Sequence, residues 1–236
     1  MNELTKELIR LVKESFQYLQ SCVDNSKSIP YRNDNRLYIP TSSNSQLRIS
    51  EQELKFVFLE KFLADKKFKS FLYSPETPTK HLYRFSEKGK RSPDPKCVSI
   101  SQSDKDGRKA NIDLCIFNRK KERVAIIEFK ANNAGVFEHK KDLVKLVSEP
   151  IEVHISKPPE DLVCMFIHIY SSTDDNTLDN IYEKTLNYES YISEGKVIYM
   201  GYSLNHKGRD CKLNKGIITW SKIKSKFVIN ELSLED

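Results

Sequence analysis

The stretch that most constrains this chain is Asn111 to Lys130, NIDLCIFNRKKERVAIIEFK. Two runs rich in β-branched and aromatic residues, Ile112 to Phe117 and Val124 to Lys130, have the length and composition of strands. Asn118 to Glu122 between them is polar, with three consecutive basic residues, and reads as a solvated loop. A symmetric hairpin with Arg119 to Glu122 as its loop sets Asn118 opposite Arg123 and Phe117 opposite Val124. The same register carries on to Asp113 opposite Glu128. Directly opposed side chains have Cβ atoms roughly 5 Å apart. Two carboxylates converging to about 4 Å repel by roughly 4 kcal/mol at an effective dielectric of about 20. An ordinary hairpin avoids that pairing, and a divalent cation turns it into attraction. Side chains alternate along a strand, so Lys130 shares a face with Glu128. The pattern predicts a hard-metal site of two carboxylates and an ammonium at the end of a buried strand. The alternative is a pair of strand-end acids pointing at water. A one-residue slip of register undoes the pairing.

Glu-x-Lys alone is a weak pattern in a chain that is 31% charged, and it recurs at Glu53-Leu54-Lys55 and Glu194-Gly195-Lys196. The copy at Glu128 alone ends an apolar strand and faces an aspartate. Asp113 followed by Glu128-Phe129-Lys130 resembles the PD-(D/E)xK nuclease superfamily, over roughly Ser50 to Leu204. Ile112 stands where that pattern has proline. Pro93-Asp94 matches the letters, but prolines flank Asp94 on both sides, which suits a loop. The resemblance implies an α/β fold, a mixed β-sheet sandwiched between helices with a restriction-endonuclease-like core. It implies a Mg²⁺-dependent nuclease, with Mn²⁺ able to substitute. Asp113, Glu128 and the main-chain carbonyl of Phe129 would be metal ligands, and Lys130 a catalytic cation.

Ser50 to Lys67 reads as a helix opened by the capping box Ser50-Glu51-Gln52-Glu53, which gives Glu53 a structural task. Glu51 falls on the stripe of Leu54, Phe58 and Phe62 that faces the sheet. Ser-Glu-Gln-Glu-Leu is similar to the start of the first helix in Holliday-junction resolvases, and that likeness makes Glu51 the fourth catalytic residue. Glu53 and Glu60 are the alternatives, and a favourable helix-dipole charge is the bland reading of Glu51.

Asn2 to Val23 carries an apolar stripe from Leu4 to Val23 at helical spacing, as a helix packed on the domain or a homodimer contact. Residues 1–47 form that helix and a connector with a short strand at Arg36 to Ile39, and residues 48–236 the nuclease-like domain. Further strands are expected at Phe71 to Tyr73, Leu82 to Phe85, Cys97 to Ile100, Val163 to Tyr170, Lys196 to Tyr202, Gly216 to Trp220 and Phe227 to Asn230. Helices are expected at Val136 to Val147 and Asp174 to Ile192. Net charge is +6, and it is segregated. Ser148 to Glu194 holds ten acids and two basic residues, and His206 to Lys226 seven Lys/Arg and one acid. Such asymmetry fits one face turned to nucleic acid, DNA by preference; Lys80, Arg84, Lys88, Lys90 and Arg91 are candidate phosphate contacts or a solvated charged loop, and the resemblance implies that the first turn of the helix carrying Lys140, Lys141 and Lys145 meets phosphate. RNA or a branched junction are the other substrates considered. A non-catalytic nucleic-acid-binding or assembly protein on the same fold is the competing function. The five cysteines form no CxxC pair and the five histidines have no zinc-ligand spacing. No apolar run reaches membrane-span length, and a reducing, cytoplasmic setting is expected.

Overall fold

A computed structural model describes residues 1–25, 36–40, 49–84, 99–101, 107–132, 136–150, 162–170, 196–204, 213–221 and 226–231. Helix α1 (Glu3–Asn25) is followed by α2 (Glu51–Ala64), a 3-10 turn at Lys66–Phe68, and strands β1 (Leu72–Pro78), β2 (Leu82–Arg84) and β3 (Ser99–Ser101). Then come β4 (Asn111–Phe117), β5 (Arg123–Ala131), α3 (Val136–Ser148), β6 (Val163–Tyr170), β7 (Lys196–Ser203), β8 (Leu213–Ser221) and β9 (Lys226–Glu231). The expected helix at Asp174 to Ile192 and the basic loop after Arg84 lie outside the described residues.

Seven strands form one mixed sheet in the order β1-β4-β5-β6-β7-β8-β9, and β2 pairs with β3 apart from it. β5, β6 and β7 run parallel at the centre, while β1/β4/β5 and β7/β8/β9 are antiparallel. Helices cover both faces, which is the α/β sandwich expected. On one face α1 and α2 bury Leu8, Phe16, Leu54 and Phe58 against Leu114, Ile127, Phe129 and Ile167. On the other, α3 buries Leu143, Val144 and Val147 against Cys115, Ile126, Cys164 and Phe166. β6 is buried at every position because it has helices on both sides. The apolar stripe of α1 is spent in this core, on Leu8, Leu11, Val12, Phe16 and Leu19.

Two local expectations need correction. Residues 36–40 form no strand; Ile39 plugs the core singly, and Pro40 offers no N–H to extend a ladder. β1 is longer than Phe71 to Tyr73 and runs through Pro75 and Pro78, which a central strand would not tolerate but this edge strand does.

The β4/β5 hairpin decides where the acids fall. Its turn closes through the Asn118 N–H to the Glu122 carbonyl and the Lys121 N–H to the Asn118 carbonyl, both 3.0 Å, with Lys121 at φ 63°. The Asn118 side-chain oxygen accepts the Lys120 and Glu122 N–H groups. Phe117 therefore pairs with Arg123, not Val124, and that turn alone would leave the rest one residue out of register. A bulge next to Phe117 absorbs Val124 and restores Ile116↔Ala125, Cys115↔Ile126 and Leu114↔Ile127.

Candidate active site

Beyond Leu114↔Ile127 the strands end their pairing, and the Asp113 carboxylate accepts the Phe129 N–H at 2.8 Å. A residue's N–H and C=O leave an extended strand on the same side, so the Phe129 carbonyl faces the Asp113 side too. The other Asp113 oxygen lies 3.4 Å from Nζ of Lys55, a buried α2 lysine that also pairs with Glu76 at 2.6 Å. Glu128, 1% exposed, turns to the opposite helix layer, with Oε1 2.6 Å from Nζ of Lys145 on α3. The opposed acids predicted from the register are thus shared between two helices, each with its own lysine. They still sense one another, since the Asp113 charge contributes to raising the Glu128 carboxyl.

Lys130 lies on the Glu128 side of β5, its ammonium 2.6 Å from Asp142 of α3 and 3.1 Å from Glu51 of α2. Glu51 reaches the site from the first turn of α2. Glu53 does not; its carboxylate takes the Ser50 N–H at 2.8 Å and the Ser50 hydroxyl at the cap. Glu60 is exposed on α2. Glu51, Lys130, Asn132 and Glu138 line a cleft of about 430 Å³ between the first turns of α2 and α3. Such helix starts carry free N–H groups suited to an anion.

The ion pairs join into one series, Glu51–Lys130–Asp142–Lys145–Glu128, with Asp113–Lys55–Glu76 beside it. Five carboxylates against three ammonium groups leave a surplus of two negative charges when all are ionised. Burial first, then the Asp142 charge, raises the Glu128 carboxyl well above the usual carboxylate range, against the pull of Lys145. Burial also acts upward on Asp142, but Lys145 and Lys130 outweigh it and hold that carboxyl below its ordinary value. Burial opposes the charge on Lys130 and on Lys145, and the surrounding carboxylates more than offset it, so both stay protonated. Glu128 Oε1 and Asp142 Oδ2 are buried without an aligned hydrogen bond, although each lies 2.6 Å from an ammonium nitrogen.

The donors here are hard oxygens, and the Asp113 carboxylate and the Phe129 carbonyl leave the seam on one side. On these counts the residues fit Mg²⁺. No group of three His, Cys, Asp or Glu side chains converges as a ready-made metal cage among the described residues, so main-chain oxygen and water would complete the shell. Sequence reasoning missed two members. Lys55 sits in a Glu-x-Lys that looked incidental, and Asp142 on a helix read only for its basic residues and its first turn. Their signal was a charged residue on an apolar helical face, Lys55 beside Leu54 and Phe58, and Asp142 beside Leu143 and Leu146.

His168 fixes the exit of β5. Its Nε2 lies 2.7 Å from the Asn132 carbonyl and so carries the proton, leaving Nδ1 to accept from the Tyr199 hydroxyl at 3.3 Å. The Asn132 amide in turn donates to the Ile49 carbonyl at 2.8 Å, tying the end of the Lys130 strand to the start of the Glu51 helix. Burial, and then the neighbouring His139, push the His168 imidazole from 6.5 down to about 3. The unfolded chain takes up a proton here below about 6.5, while the folded chain does not until about 3. His168 therefore lowers stability as pH falls through that window, by up to about 1.4 kcal/mol per pH unit. His168→Gln should flatten the pH dependence of urea-unfolding stability relative to wild type. Parallel curves for the two proteins would rule this out.

No protein-family model, curated protein or solved structure matches the chain. No helix among the described residues is long and apolar enough to cross a membrane, and Cys22, Cys115 and Cys164 are buried and free.

Proposed function

We propose that the protein is a Mg²⁺-dependent nuclease of the PD-(D/E)xK type that hydrolyses phosphodiester bonds in nucleic acid, DNA by preference. The observation that carries this reading is the end of the β4/β5 seam. There Asp113 and the Phe129 main chain meet, Glu128 lies buried one residue away, and Lys130 opens with Glu51 onto the cleft. Asp113, Glu128 and the Phe129 carbonyl would hold Mg²⁺, or Mn²⁺ in its place. The ion, when bound, supplies acidification of a water and offsets phosphate charge. Lys130 is held protonated by Asp142 and Glu51, so it serves as a cation and hydrogen-bond donor toward a phosphate oxygen or the attacking water, and not as a base. Glu51 orients that ammonium toward the cleft. The first turns of α2 and α3 present main-chain N–H groups to the flanking phosphate.

The competing reading is a non-catalytic nucleic-acid-binding protein. It is favoured by the pairing of the innermost set, in which Lys145 sits against Glu128 and Asp142, and Lys130 against Asp142. The two separate on incubation with linear, circular, branched and single-stranded DNA, and with RNA, in Mg²⁺, Mn²⁺ or EDTA. The nuclease reading expects cleavage of at least one substrate with either ion and none in EDTA. Undiminished binding in EDTA with no cleavage under any condition would hand the site to the binding reading.

A further inference from the structure

Lys145 places a buried ammonium among oxygens of three elements. Its Nζ lies 2.6 Å from Glu128 Oε1, 2.9 Å from Asp142 Oδ1 and 2.8 Å from the Asn111 carbonyl oxygen. These oxygens come from β5, α3 and β4, so three packed elements converge on one cation that is 4% exposed. That burial keeps Lys145 away from any phosphate on the surface. Two further observations bear on its function. Glu128 and Asp142 are themselves 1% and 2% exposed, so neither acid meets water in place of the ammonium. Lys130 and Lys145 already sit against the inner acids Asp142 and Glu128, whereas outside them Glu51, Asp113 and Glu76 outnumber Lys55.

We infer that Lys145 is a resident counter-ion. It holds the inner of two cation positions at Glu128 and leaves a divalent ion the outer position, on the Asp113 side. This rests on the metal-dependent reading above for the outer ion, but not for the inner one. The inner position is set by oxygens already gathered around a cation. Oxygens at 2.6 to 2.9 Å suit an ammonium, and Mg²⁺ takes them at about 2.1 Å, so an ion replacing Lys145 draws them inward or adds water. Lys145 is thereby a positioning residue: it aims Glu128 and sets how many metal ions the site takes.

The test is a count of Mn²⁺ bound per chain, by isothermal titration and by loss of the free-Mn²⁺ EPR signal, with far-UV circular dichroism as the folding control. Lys145→Met removes the charge at similar volume and should add one Mn²⁺ per chain. Lys145→Arg keeps the charge and should keep the wild-type count. Glu128→Gln placed on Lys145→Met should remove the added ion. If wild type binds one ion and Lys145→Met two, both the inference and the metal-dependent reading stand. If both bind one with equal affinity, the reading stands and the inference fails. If wild type binds none and Lys145→Met binds one, the inference stands and the metal-dependent reading fails. If neither binds, both fail. Should Lys145→Met not fold, Lys145→Gln, which removes the charge, keeps Glu128 and Asp142 and leaves them an amide donor, is read in the same way.

Discussion

Asp113→Asn should lower Mg²⁺-dependent cleavage by about a thousandfold or more while leaving the fold intact. The amide still offers an oxygen to the Phe129 N–H, now 2.8 Å from Asp113, so the seam keeps its hydrogen bond. What is lost is a charged oxygen ligand. Losing about 4 kcal/mol of transition-state stabilisation corresponds to that factor. Asp113→Ala should be equally inactive but less stable, since it leaves the N–H unmet. Lys130→Ala should be inactive as well, and binding distinguishes the two. Removing Asp113 deletes a negative charge beside the phosphate path, so affinity for DNA in EDTA should hold or rise. Removing Lys130 deletes a cation, so affinity should fall. The log-log salt slope should then shrink by up to about 0.9 if Lys130 meets one phosphate. Activity of Asp113→Asn within tenfold of wild type would remove Asp113 from the metal site.

The parts of the site that were legible in the sequence are those fixed by strand alternation and by capping. The strand ends that carry Asp113 and Glu128 meet because the β4/β5 register follows from two apolar runs, but the two carboxylates turn to different helices, and the turn reached that register by a route the sequence concealed. Lys121 adopts a left-handed conformation, which shifts the turn by one residue, and the bulge at Val124 shifts it back. Glu51 and Glu53 separated correctly because a capping box consumes the second acid and leaves the first free. What the sequence concealed is which lysine meets which acid. Asp142 and Lys145 are three apart on a helix, a spacing equally at home on a solvated face. Only the packing of α3 against β5 turns them inward. Lys55 was hidden in the same way, because α2 is apolar on several sides and its sheet-facing stripe does not stand out. Each acid could be placed by its own strand, but each ion pair needed two elements to be docked.

Glu149→Ala should cost about 3 to 5 kcal/mol of folding stability, the range for leaving a buried charge without its partner. Glu149 is 2% exposed and ends α3. Its carboxylate accepts the Lys80 N–H at 2.8 Å, the His81 N–H at 3.1 Å, the Tyr83 hydroxyl at 2.9 Å and Nη1 of Arg123 at 2.8 Å. Arg123 also donates to the Pro78 carbonyl at 2.7 Å. One carboxylate thus joins the end of α3, the start of β5 and the passage from β1 to β2. Alanine would leave the half-buried Arg123 guanidinium with the Pro78 carbonyl alone and take the acceptor from the Lys80 and His81 N–H groups. Glu149→Gln keeps an acceptor for those N–H groups but loses the charge, so it should fall between alanine and wild type. Replacing Arg123 and Glu149 together by methionine should cost less than Glu149→Ala alone, because no buried charge is then left unmatched. Urea unfolding of the four proteins measures this directly. A loss below about 1 kcal/mol for Glu149→Ala would mean that water reaches the junction and that the carboxylate does not hold the three segments together. The cluster is separate from Glu51, Asp113, Glu128 and Lys130, so Glu149→Gln, where folded, should retain metal-dependent cleavage that Asp113→Asn loses.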